Sequence, residues 1–277
     1  MAVRSSGGDS LAVAMRLRGG SCAIWDGWEC CQPVHRAVEV DPRGWGGVVG
    51  GGGGRQAAGV SPDQRTLTDY WPVFGLRLAT PRLTLAPLRD DDLVETIDVI
   101  LGGIHPADRM PFAMPWTDAP RDQLIPNTLR YYWTNRGAST PESWSLPFIV
   151  RRAGQVVGLQ EMTGKNFAVT KTVETGSWLG SVHQGDGIGT EMRSAVLQFA
   201  FDHLKAQRAD SAAFLDNPAS LRVSAKLGYH HDGTVVVQRR PGERAVDQRL
   251  TLDDAHFVRP GWDVQVRGLP ACRAFFG

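Results

Sequence analysis

The stretch from Val173 to Ala200 restricts the possible folds more than any other part of this sequence. Val173-Glu-Thr-Gly-Ser-Trp-Leu179 reads as a strand, and Gln184-Gly-Asp-Gly-Ile-Gly189 is too rich in glycine to continue it. Beyond that turn Met192, Ala195, Val196, Phe199 and Ala200 recur at i, i+3, i+4, i+7 and i+8, giving a helix over Glu191 to Lys205 one apolar face. A short apolar strand at Ser211 to Leu215 follows. Strand, helix and strand in that order make a β-α-β unit with the glycine turn at the helix N-terminus. There the first backbone N–H groups have no partner within the helix, and the helix dipole is positive. Glycines let a ligand approach the backbone closely, so the turn is built to hold an anion, most naturally a phosphate.

Which phosphate ligand is less direct. A nucleotide P-loop ends in Gly-Lys-Ser/Thr, and Gly189-Thr190-Glu191 has no lysine. A dinucleotide fingerprint needs a third glycine where Met192 stands and an acid closing the next strand, where Asp216 comes late. A tight turn with no ligand is the competing reading of the glycines alone.

The surrounding pattern is that of a folded domain from Trp71 onward. Leu76 to Leu88 alternates apolar and polar positions as one half-buried strand does, and Asp90 to Asp92 offer N-cap and first-turn acids to a helix that Gly102-Gly103 ends near Leu101. Pro106 to Pro120 is a loop, and a second helix covers Arg121 to Asn135 despite Pro126. Trp144 to Val150 and Gln155 to Thr163 form a hairpin around Ala153-Gly154. Asp216-Asn217-Pro218 opens a helix that Gly228 closes. Val235 to Arg239 and Gln248 to Thr251 pair across Pro241-Gly242, and Val264 to Val266 is a last short strand. Hairpins beside one β-α-β unit predict an α/β fold with a central mixed, mostly antiparallel sheet flanked by helices.

Composition bounds the function classes. With 42% hydrophobic and 21% charged residues in 277, the chain has the material for a globular core. A formal net charge of +1 gives no electrostatic footprint for nucleic acid. No apolar run approaches the ~18 residues a membrane-spanning helix needs, and Leu11 to Met15 is too short for a secretory segment. A cytoplasmic protein with neither a nucleic-acid nor a membrane partner is expected. About the first 65 residues, ending in the run Gly50 to Gly54, show no sustained period of either kind, so residues 1–66 read as a disordered leader and 71–277 as the domain. The true start of translation is expected downstream of Met1. Cys22, Cys30, Cys31 and His35 fall in that leader with no paired metal-ligand spacing, so no metal is expected.

Five blocks, in order and in register, carry a resemblance. Gln184-x-x-Gly187-x-Gly189 resembles the Gln/Arg-x-x-Gly-x-Gly/Ala motif of the GCN5-related N-acetyltransferases, the GNAT superfamily. Gly154-Gln-Val-Val-Gly158 is similar to its preceding hairpin strand, and Thr175-Gly-Ser-Trp-Leu179 to the strand leading into the motif. Asn217-Pro-Ala-Ser220 with Lys226-Leu-Gly-Tyr229, and Thr80-Pro-Arg-Leu-Thr-Leu85, resemble blocks of its RimJ/RimL-like branch. The likeness runs from about Trp71 to Phe257.

That resemblance implies an acyl-coenzyme A co-substrate, acetyl or succinyl, and transfer to an amine acceptor without a covalent intermediate. It implies that Gln184 and the backbone of Gly185, Asp186, Gly187, Ile188, Gly189 and Thr190 hold the pyrophosphate, while Leu179 to Ser181 pair with the pantetheine arm and Asn217 and Ser220 line its cleft. Asn217 is equally an ordinary helix N-cap. Glu161, on the strand beside the motif strand, is the first candidate base and Glu174 the second, each with a surface-carboxylate reading beside it. Many family members place a tyrosine general acid where this chain has Ser224, leaving Ser220, Ser224 or water for the leaving thiolate. Cys272 has no partner suited to a nucleophile. His105, Arg109 and Trp116 in the long loop are the candidate acceptor contacts, and Arg109 or Arg121 near the thioester would favour succinyl. A homodimer through the C-terminal strands is implied by likeness. The reading from another class is a non-catalytic acyl-coenzyme A sensor.

Overall fold

The computed structural model describes residues 65–277. The expectations for the leader, including Cys22, Cys30, Cys31 and His35, lie outside the described residues. Nine strands form one sheet in the order β7-β8-β6-β5-β4-β3-β2-β1-β9. They are β1 Arg77–Ala79, β2 Leu83–Pro87, β3 Ser143–Arg152, β4 Gln155–Lys165, β5 Thr172–Leu179, β6 Arg208–Phe214, β7 His230–Arg240, β8 Glu243–Asp253 and β9 Gln265–Arg267. The larger helices are α1 Leu93–Leu101, α2 Arg121–Ala138, α3 Ile188–Gln198 and α4 Pro218–Lys226. Every neighbouring pair is antiparallel except β5 and β6, which flank α3. The expected mixed, mostly antiparallel sheet with flanking helices is the fold observed.

Two elements differ from the sequence reading. The single strand expected over Leu76 to Leu88 is a hairpin, because Thr80 turns the chain: its N–H donates to Leu83 O (2.9 Å) and its Oγ1 accepts from Leu83 N (2.9 Å). Pro81 in that turn has no N–H to continue a ladder. The helix expected to reach Lys205 ends its α-helical part at Gln198, and Phe199–His203 is a wider π turn before the chain bends into β6. The hairpin at Ala153-Gly154 forms as read, with φ of 49° and 84° that match a mirror-image turn.

Side-chain alternation sends successive residues to opposite faces of the sheet. Leu85, Phe148, Val150, Val157 and Met162 join Met192, Val196 and Phe199 in the larger core. Ile149, Leu159 and Trp178 join Leu93, Ile100 and Tyr132 in the second. At Gly158 a Cβ would lie 2.3 Å from Trp178 O, so only glycine lets β4 and β5 come this close just before the motif turn.

The functional consequence lies between β5 and β6. Their pairing runs only from Thr172 with Arg208 to Glu174 with Asp210. Beyond it β5 continues on β4 as far as Leu179, and β6 continues on β8 as far as Phe214. The two parallel strands therefore part, and the gap opens toward the N-terminus of α3.

Candidate active site

Leu179 ends β5, Ser181–His183 form one 3-10 turn, and Gly187, at φ 76°, is the N-cap of α3. That left-handed backbone is one a side chain rarely adopts. Among the described residues the backbone N–H groups of Gly185, Asp186, Gly187, Ile188, Gly189 and Thr190 donate to no acceptor in the protein; the first that does is Glu191, to Gly187 O (3.1 Å). These unspent donors and the helix dipole point the same way.

Two arginines that the sequence reading did not single out flank this turn. Arg82 donates from Nη1 to Asp186 O (3.0 Å) and from Nε to Glu191 (2.6 Å), and Arg152 pairs with the Asp186 carboxylate (3.0 Å). Glu191 is 8% exposed and also accepts from Thr80 Oγ1 (2.6 Å) and Arg82 N (3.1 Å), which locks the β1–β2 turn onto the start of α3. Gln184 turns its side chain inward instead of toward a ligand: Nε2 donates to Ile104 O (2.6 Å) and Leu179 O (3.0 Å). With Ser181 N on Gly103 O (2.9 Å), it stitches the turn to the segment after α1.

Across the gap, Asn217 Oδ1 accepts from Ser220 N (3.2 Å), so the N-cap role is realised, and Ser220 stays half-buried at the first turn of α4. Ser224 is fully buried and its Oγ accepts from Arg193 Nη1 (3.1 Å). Tyr229, just after α4, is buried with its hydroxyl on Thr175 Oγ1 (3.2 Å).

On the opposite face of β4, Glu161 is partly buried and stands across from Gly176 of β5. It accepts from Ser145 Oγ (2.5 Å) and from the Tyr131 hydroxyl on α2 (3.1 Å). Burial pushes its carboxyl above the usual carboxylate range, and these two hydrogen bonds pull it part of the way back. Glu174 is raised as well, first by burial and then by the charges of Asp210, Glu161 and Asp247. A carboxylate that is reluctant to ionise, next to an opening and supplied with hydroxyl partners, is suited to take a proton from an incoming ammonium.

The loop after α1 is tightly held. His105 has both ring nitrogens engaged, Nδ1 with Pro106 O (2.8 Å) and Nε2 with Thr117 Oγ1 (2.7 Å). Trp116 packs on Phe112 at 5.3 Å and is half-buried against the second core, while Arg109 and Arg121 are exposed. The β7–β8 hairpin clamps this loop from outside, with Arg240 on Asp118 (2.6 Å) and Arg239 on Met110 O (3.2 Å). Cys272 is buried, its thiol pushed up by that burial and bonded to Gly268 O, the reverse of the environment that activates a thiolate. Among the described residues no cluster of three or more His, Cys, Asp or Glu is placed to hold a metal, and no helix is long and apolar enough to cross a membrane.

The family model of the acetyltransferase (GNAT) domain matches residues 82–230, from the arginine beside the turn to the start of β7. The chain belongs to the GNAT acetyltransferases. Among curated proteins, this GNAT chain is similar to the probable N-acetyltransferase YjcK of Bacillus subtilis (strain 168), with 36% identity over 63 residues, 23% of this chain. The matched stretch spans only 35% of that relative's length. Among solved structures it is similar to Mycobacterium smegmatis RimJ in complex with CoA-disulfide, with a TM-score of 0.52 and 18% identity over 74% of this chain and 96% of that one. That likeness is one of fold.

Proposed function

We propose that this GNAT chain is an N-acetyltransferase of the RimJ/RimL-like kind, moving an acetyl group from acetyl-coenzyme A to a primary amine by direct attack. The observation that carries the reading is the run of unspent backbone amides from Gly185 to Thr190, beside Arg82, opening onto the gap between β5 and β6. A pyrophosphate is the anion that such a turn accommodates, and an extended arm fits along a strand edge that has lost its neighbour.

In this reading the protein orients two reactants and handles protons. Glu161 receives the proton that the acceptor ammonium must lose before its lone pair attacks. Ser145 and Tyr131 hold the carboxylate for that step. The end of β5 presents backbone N–H toward the thioester oxygen, where charge develops. The acidic floor of Glu161, Glu174, Asp210 and Asp247 favours a cationic acceptor. His105 and Trp116 shape the acceptor loop from within, and Arg109 and Arg121 are its exposed cations.

Succinyl-coenzyme A is the alternative donor that Arg109 or Arg121 would favour. A homodimer would form through β7, the exposed edge of the sheet, whose Val235 and Val236 face solvent. Residues 71–277 form the acyltransferase domain.

The deciding experiment is calorimetric titration of the full chain with coenzyme A, acetyl-coenzyme A and succinyl-coenzyme A, with NADH as control, alongside Gly187→Trp. Micromolar binding of the coenzymes, lost by at least ~10-fold in the variant, is the expected result. Absence of binding by all of them would reject the acyltransferase reading. Binding without any thiol release toward a panel of primary amines would favour the sensor.

A further inference from the structure

Arg193, on the second turn of α3, is 5% exposed. Its Nη1 donates to Ser224 Oγ (3.1 Å) on α4 and its Nη2 to Ser177 Oγ (3.1 Å) on β5. Among the described residues its buried Nε has no hydrogen-bond partner and no carboxylate pairs with the guanidinium. Guanidinium keeps its proton in proteins, so this is a fixed positive charge withdrawn from water without a counter-charge. A buried cation with an unused donor asks for an anion that the described residues do not supply.

Its position says which anion. Pairing between β5 and β6 stops at Glu174 and Asp210, so Ser177 stands on the part of β5 that has left β6. Arg193 spans from that strand to α4, across the gap that opens from the amide turn. Gly176, one residue before Ser177, stands across from Glu161 and has no side chain to obstruct the opening. A thioester held beside Gly176 and Ser177 therefore has a carboxylate on one face of the sheet and a guanidinium on the other.

We propose that Arg193 is a catalytic residue that faces the coenzyme A sulfur and stabilises it as it leaves as a thiolate. The inference rests on the acyl-coenzyme A reading given above. The amine nitrogen forms a bond to the carbonyl carbon, the carbon–sulfur bond breaks, and sulfur keeps the electron pair. The nitrogen's remaining surplus proton goes to solvent, and the thiolate takes its own from solvent after release. Arg193 neither gains nor loses a proton. Ser224 Oγ is fully buried and accepts from Arg193, so it holds the guanidinium in place for that contact.

The test needs no knowledge of the acceptor, because the product coenzyme A carries the same sulfur. Binding of coenzyme A and of desulfo-coenzyme A to the full chain is measured from pH 6.5 to 9.5, with the thiolate absorbance of bound coenzyme A followed in parallel. With Arg193 facing the sulfur, the bound thiol ionises at lower pH than the free one, and affinity for coenzyme A gains about tenfold, one pKa unit's worth, over desulfo-coenzyme A as the pH rises. Arg193→Met abolishes that gain while leaving desulfo-coenzyme A binding within about threefold, and Arg193→Lys restores part of it. Tyr229 is the other titratable group packed on this side, while Glu161 and Glu174 face the other side of the sheet; Tyr229→Phe must leave the gain in place. Equal thiol titration in the wild type and Arg193→Met would overturn the proposal, as would tighter coenzyme binding in the variant, the mark of a plug. No binding of either coenzyme by the wild type would instead overturn the acyltransferase reading beneath it.

Discussion

Glu161 and Arg193 stand on opposite faces of the same pair of strands and meet burial in opposite ways. Glu161 has two hydroxyl donors and a route out of its charge, since a carboxylate in a poorly hydrated place can hold a proton instead. Arg193 has two serine oxygens as acceptors, no counter-charge among the described residues, and no such route. One face of the site therefore carries a proton that can move and the other a charge that cannot. Register sets Glu161 across from Gly176, and Arg193 reaches the next residue through Ser177 Oγ (3.1 Å), where β5 has lost β6. What distinguishes the two faces is the kind of work each buried group is able to do.

Removing the titratable partner is the sharpest way to break this comparison. Glu161→Gln should lower kcat/KM by about 10²–10³, the range typical for a lost general base, with coenzyme binding unchanged. Because burial raises the Glu161 pKa, the active ionised form gains as pH rises, and the wild-type rate should fall on the acid side above the ordinary carboxylate range; the variant should lose that limb. The same shift has the opposite sign for stability. Its contribution is complete below the unfolded-state value of about 4.3 and is lost as pH rises through the folded value. Glu161→Gln should therefore be at least as stable as wild type at pH 7 in denaturant melts. Wild-type turnover in this variant would remove Glu161 as the base.

Glu191 sharpens the comparison because it is a buried carboxylate with all its charge spent. It accepts from Thr80 Oγ1, Arg82 N and Arg82 Nε, and those bonds join the β1–β2 turn to α3. Glu191→Gln should cost about 2–3 kcal/mol of stability, since it leaves the partners of a buried carboxylate without their anion. Coenzyme binding should weaken too, because Arg82 also holds Asp186 O in the amide turn. An unchanged melting curve would mean that these bonds do not hold the β1–β2 turn to α3.

The glycine turn, the helix after it and the β-α-β unit were legible because their signals are local: a period of 3.6, positive-φ glycines, and a strand's composition. The Ala153-Gly154 hairpin was legible for the same reason. Thr80-Pro81 was harder, since alternation continues through the turn on both sides and only the hydrogen bonds to Leu83 reveal the reversal. Arg82 and Arg193 were invisible as site residues. Each is one arginine among many in the sequence, and what matters is a partner supplied from another element of the fold: Asp186 and Glu191 for the first, Ser177 and Ser224 for the second. Glu161 stood out only by its strand position; its hydroxyl partners come from β3 and α2, which no spacing rule links to it.

The smallest expected effect falls on the residue that sequence chemistry makes most tempting. His105 sits in a long loop beside the site, as a base would, yet both its ring nitrogens are committed, to Pro106 O and to Thr117 Oγ1. Its ring also packs on Phe112 at 5.7 Å, which in turn packs on Trp116. The loop is held independently by Arg240 on Asp118 and Arg239 on Met110 O, so the loss of one imidazole should not release it. His105→Ala should cost about 1 kcal/mol of stability, the worth of its hydrogen bonds. It should change kcat/KM by no more than about threefold, well below what a lost general base costs. Because an imidazole engaged at both nitrogens is not available to a substrate proton, the pH profile should keep its acid limb in place. A loss on the scale of Glu161→Gln would instead put the movable proton on the loop and leave Glu161 as its support.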